Sequence, residues 1–174
     1  MDPAIIILLL AAVLGTAVVT DLRSSRIPNW LIFSTMGIGI LIQTWIGGLT
    51  GVLSSLAGCF LGMGLFLLPY ACRAIGAGDV KLVAAIGSIL GPAAVVSVAA
   101  LSVLAGGIYA LGVMSYQWGI LATSRKLACA TYGTLVSGRL SAAGDFHLPY
   151  RLRYGVAIAV GTLLFLGGVQ PFEG

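Results

Sequence analysis

Two aspartates are the residues of this chain best suited to chemistry. Asp21 closes an apolar run that starts near residue 4, and Asp79 ends the sequence Gly76-Ala77-Gly78-Asp79 just before another. Both stand where apolar sequence meets a short basic break. Two carboxylates held face to face can share one proton. The ionised one then polarises a water, and the neutral one hydrogen-bonds the carbonyl under attack, because adjacent like charges do not both ionise. Such a pair hydrolyses a peptide bond with no metal, cofactor or covalent intermediate. Gly76 and Gly78 leave room for a substrate backbone to approach, since they carry no Cβ. Plainer readings stand beside this one. Asp21 near Arg23 also fits a solvated ion pair at a helix end, and Gly-x-Gly-Asp also fits an ordinary turn. Nothing in the sequence alone makes Asp21 face Asp79.

The elements that must position these carboxylates are apolar helices. Hydrophobic residues make up 59% of the 174 and charged residues 8%, with a mean hydropathy of +1.09. Soluble domains carry roughly a quarter charged residues, so this chain lacks the polar surface to coat a water-soluble globule. Apolar segments lie at about 4–20, 30–47, 51–72, 80–91, 93–118 and 154–170. Gly47-Gly48 and Gly91-Pro92 punctuate them, as turn chemistry requires. The expectation is an all-α, polytopic integral membrane protein with six transmembrane helices, one peptidase-sized domain over 1–174. Gly58 and Gly62 form a Gly-x-x-x-Gly pair suited to helix packing within the subunit. The segment from Asp79 to Gly91 is short, about 20 Å of helix against a hydrocarbon core of about 30 Å. That predicts an Asp79 recessed into the bundle, on backbone that lines a wet cavity or is buried in protein.

Charge sets the expected orientation. Every Lys and Arg falls in one of three breaks: Arg23 and Arg26; Arg73 and Lys81; and Arg125, Lys126, Arg139, Arg151 and Arg153. With six spans these breaks share a side, while the other carries Asp2 and Glu173. The positive-inside rule makes the basic side cytoplasmic and both termini non-cytoplasmic. Asp21 and Asp79 then lie at the cytoplasmic face. The net charge of +4 is thus a topology signal and no argument for nucleic acid. The first apolar run is preceded by Asp2 and followed by its basic residues, which reads as a span, not a cleavable signal. Cys59, Cys72 and Cys129 are far apart, and with the lone His147 they make no zinc constellation. The basic stretch 121–153 fits contact with anionic lipid.

The flanking residues carry a resemblance. Asp21-Leu22-Arg23-Ser24-Ser25-Arg26-Ile27-Pro28-Asn29 resembles the first catalytic segment of the type IV prepilin peptidases. Gly76-Ala77-Gly78-Asp79-Val80-Lys81-Leu82 resembles their second, and Tyr154-Gly155-Val156-Ala157-Ile158-Ala159 looks like the element that opens their last span. The resemblance implies a membrane aspartic endopeptidase, without cofactor, that removes the leader from prepilins or pseudopilins in the bacterial inner membrane. Asp21 and Asp79 would be its catalytic pair. Gly76, Gly78, Lys81, Arg23 and Asn29 match motif positions and would bind substrate or shape the loop; Asn29 would equally serve as the cap of the second span. The paired Cys-x-x-Cys motifs of the long prepilin peptidases are absent here. The chain therefore resembles the short branch acting on Flp-type (tight-adherence) pilins, which implies no N-methyltransferase activity. A rival from another class is a small proton-coupled transporter, with Asp21 and Asp79 as its proton relay.

Overall fold

The structure, a computed structural model, describes residues 3–24, 27–71, 75–118 and 154–169. Asp2, Glu173, Arg26, Arg73, Cys72, Cys129 and the stretch 121–153 with His147 and its basic residues lie outside the described residues. The described residues are helical throughout, apart from short connections. The helices are α1 (Pro3–Ser24), α2 (Asn29–Ala71), α3 (Ala77–Leu90), α4 (Pro92–Trp118) and α5 (Tyr154–Leu166). Three of them are long and apolar enough to cross a membrane, over Ala4–Ser24, Asn29–Ala71 and Pro92–Val113. The remaining two, α3 and α5, have 14 and 13 residues.

Helix boundaries follow from the backbone chemistry of a few residues. Gly91 adopts φ +85, a left-handed value that glycine takes without penalty. Its amide caps α3 by donating to the Gly87 carbonyl at 2.8 Å. Pro92 then opens α4, where its missing N–H and fixed φ suit the first helical position. Gly48 is the one non-helical residue inside α2, at φ 57 and ψ −132. The sequence places a turn at Gly47-Gly48. The structure narrows it to Gly48, which divides α2 into limbs 29–47 and 49–71.

These limbs fold back on each other, and α3 lies against both. A Cβ on Gly51 would strike the Gln43 carbonyl, so the limbs touch near the bend. Along the second limb, Gly58 meets Gly87 and Gly62 meets Val83, which sets α3 antiparallel to it. Along the first, Gly39 meets Ser88 and Ile89, and Asn29 meets Lys81. The Gly58–Gly62 pair thus packs inside the chain. Side chains of α2 bind the far end of α3 through its carbonyls: Gln43 Nε2 donates to Ile89 O at 2.7 Å, and Ser55 Oγ to Ser88 O at 2.8 Å.

The outcome is a helix with no outward face. Leu82, Val83, Ala84, Ala85 and Ile86 are all at 0% exposure. Meanwhile Leu8, Leu41, Trp45, Leu49, Leu68 and Ile108 on the outer helices are each 70% exposed or more. Apolar surface on that scale needs an apolar surround. Large apolar residues outside and a short helix buried from Leu82 to Ile89 inside point to a membrane protein.

Candidate active site

Asp79 enters the bundle in the first turn of α3. The sequence reads its apolar segment from residue 80, but the helix already starts at Ala77. The Asp79 carboxylate bends back to accept the Gly76 amide, N to Oδ2 3.0 Å. The Asp79 amide in turn donates to the Gly76 carbonyl at 3.1 Å. This is half of a capping box, because Gly76 has no side chain to return the bond. An orphan amide of the helix start is satisfied, and the bond fixes the carboxylate at the opening of α3. Asp79 is only 7% exposed.

Asp21 arrives from another direction. Helix α1 runs on to Ser24, so Asp21 sits within its last turns and not in a loop. Its side chain is turned inward at 8% exposure, whereas Arg23 in the same turn is exposed. The solvated-pair reading requires an outward Asp21, and this burial is at odds with it.

Helix α5 packs against both α1 and α3, the helices that carry the two aspartates. A Cβ on Gly155 would lie 2.9 Å from Asp21 Oδ2 and 3.3 Å from its Cγ. The preceding residue, Tyr154, lies within reach of the charge on Asp79. Gly155 thus lies against Asp21, and α5 also packs against the helix that opens with Asp79. Buried carboxylates in apolar protein are expensive, and two of them on helices that share one neighbour call for a functional reason.

The two segments also touch along their flanks. A Cβ on Gly78 would make ordinary contact with Ile27, at 3.4 Å from its Cβ, and Ile27 is buried. Lys81 Nζ donates to Asn29 Oδ1 at 3.2 Å. Asn29 is the first residue of α2, so its side-chain oxygen is shared with α3 at the helix start. Of the residues singled out in the sequence, Asp21, Asp79, Gly76, Gly78, Lys81 and Asn29 gather at one end of the bundle. Arg23 is exposed at that same end.

Three neighbours of the site carry no site role in the sequence reading: Ile27, Tyr154 and Gly155. The motif stretches contain all three, but their partners are remote in sequence. Among the described residues no group of three or more His, Cys, Asp or Glu is placed to hold a metal ion.

A profile of the type IV leader peptidase family matches residues 8–111. The chain belongs to the type IV leader peptidase family. Comparison with curated proteins and with solved structures finds no match. The matched span includes both aspartates and all of α2 and α3. Helix α5 falls beyond it, although α5 supplies Gly155, against which Asp21 lies. A leader peptidase is a protease acting on prepilin-type precursors, and this membership gives the transporter alternative no support.

Proposed function

We propose that the chain is a membrane aspartic endopeptidase that cleaves the leader from Flp-type prepilins, with Asp21 and Asp79 as its catalytic pair. The observation that carries the reading is the burial of both motif carboxylates, Asp21 against Gly155 and Asp79 at the start of α3, on helices that each pack against α5. One carboxylate, ionised, takes a proton from water as that water adds to the scissile carbonyl. The other, neutral, gives its proton to the carbonyl oxygen. From the tetrahedral diol the first carboxyl then protonates the departing amide nitrogen, the second carboxylate takes a proton back from a diol hydroxyl as the C–N bond breaks, and the pair is left again with one shared proton. No metal or methyl donor takes part. Lys81, Asn29, Gly76 and Gly78 border the pair, and Arg23 meets the basic-side headgroups or the substrate.

The same reading treats residues 1–174 as one domain with six spans. The limbs of α2 count as two spans, and α3 and α5 are short ones. Both termini are non-cytoplasmic, and the catalytic end faces the cytoplasm of a bacterial inner membrane. The charge pattern supports this orientation. In the reaction, the precursor's apolar helix stays in lipid while its leader junction reaches the carboxylates.

The test is co-expression with a Flp-type prepilin and single substitutions Asp21→Asn and Asp79→Asn. Each change abolishes leader removal while the protein still accumulates in the membrane. Continued cleavage by either variant overturns the assignment.

A further inference from the structure

The site contains an aromatic side chain whose packing is more specific than the fold requires. The Tyr154 ring is gripped by two helices other than its own. Its hydroxyl donates to the Ser102 carbonyl on α4 at 3.3 Å. Its ring meets buried Phe66 of α2 edge-on, with centroids 6.0 Å apart at 68°, a favoured aromatic geometry. On α4 the ring fills the space over Gly106, where a Cβ would come within 2.6 Å of both the ring carbon Cζ and the hydroxyl oxygen. Only glycine at 106 admits the ring there. Asp79 lies close enough for its charge to act on the phenol. The next residue is Gly155, whose lack of a side chain is what accommodates Asp21. Seating the ring therefore places the backbone against which Asp21 rests.

We propose that Tyr154 is a positioning residue for the aspartate pair: its ring, seated over Gly106, fixes the first turn of α5 and through it the gap between Asp21 and Asp79. This rests on the two-aspartate reading above. Catalysis by two carboxylates is sensitive to that gap, because a misplacement of about 1 Å can cost a hundredfold in rate. The three atoms nearest a Cβ at Gly106 all belong to Tyr154, which makes the proposal separable from a general role in folding.

The experiment measures kcat and KM for prepilin cleavage by the full chain in vesicles. The variants are Tyr154→Phe, Tyr154→Leu, Gly106→Ala and the double Tyr154→Leu/Gly106→Ala, with Asp21→Asn and Asp79→Asn in the same assay. Tyr154→Phe keeps the ring and stays within about threefold of the parent, whereas Tyr154→Leu and Gly106→Ala each lose about tenfold or more in kcat at unchanged KM. The double variant is no slower than Tyr154→Leu, since no ring is left for the new methyl to displace. Parent-like kcat in Tyr154→Leu, or losses that multiply in the double variant, overturns the proposal. Should Tyr154→Leu not accumulate, parent-like kcat in Gly106→Ala overturns it alone. Cleavage by Asp21→Asn or Asp79→Asn instead brings down the pair itself; dead aspartate variants beside parent-like Tyr154→Leu and Gly106→Ala bring down only the positioning role.

Discussion

Gly58 and Gly87 occupy each other's Cβ positions across the contact between α2 and α3: a Cβ on either would strike the other's carbonyl oxygen. Backbone cannot swing away as a side chain does, so the helices would have to part. Gly87→Ala should therefore destabilise the protein by about 1–3 kcal/mol, the usual cost of overpacking. Thermal unfolding in detergent measures it. The exposed Gly64, with nothing within 4 Å of its Cβ position, serves as the control and should tolerate alanine.

Gly155→Ala tests the site without touching either carboxylate. The new methyl would lie 2.9 Å from Asp21 Oδ2, closer than real Cβ contacts allow, so Asp21 must shift. We expect prepilin cleavage to fall by about tenfold or more in kcat, with protein level and unfolding temperature near those of the parent. Parent-like turnover would mean that Asp21 has slack.

Gly78→Ala separates folding from substrate approach. In the protein itself the new methyl would make only ordinary contact with Ile27, at 3.4 Å. Stability should change by less than about 1 kcal/mol, as at sites free of packing conflict. A strong loss of cleavage in this well-folded variant would assign Gly78 to close passage of the substrate backbone.

Gln43→Leu should loosen the far end of α3. It removes the donor to Ile89 O and leaves that buried carbonyl without its side-chain partner. A lost bond of this kind costs about 1–3 kcal/mol. The readout is unfolding in detergent, and Ser55→Ala, which removes the neighbouring bond to Ser88 O, should act in the same direction.

Lys81→Ala and Asn29→Ala should be nearly silent in stability. Their mutual bond is 3.2 Å long and exposed, where water competes and the net worth is about 1 kcal/mol or less. If cleavage nonetheless drops while KM rises, the two residues bind substrate.

Much of the helical frame is legible in the sequence because its punctuation is local. Gly48 and the Gly91-Pro92 step announce their breaks through backbone chemistry, and the structure bends or ends helices there. The helix ends are less legible. Asp21 and Asp79 lie about one turn inside α1 and α3, since each helix runs past its apolar stretch. The aspartates themselves stand out as charge in an apolar chain. The neighbours Ile27, Tyr154 and Gly155 do not, since their roles depend on contacts across 48 to 134 residues of chain, which no local pattern encodes. Tyr154 reads as one more aromatic at a helix start until Gly106 is found beneath its ring.

Helix α3 has a consequence for how the protein would sit among different lipids. A helix that faces lipid settles at the depth its apolar length dictates, and it tilts or stretches the bilayer when the two disagree. Enclosed by protein from Leu82 to Ile89, α3 takes its level from Gly58, Ser55 and Gln43 instead. Acyl-chain length then acts on the outer helices and reaches Asp79 only through them. In vesicles whose lipids differ by a few carbons per chain, turnover should vary less than the tilt of the outer helices does, as though the carboxylate rode in a carriage of protein within the film.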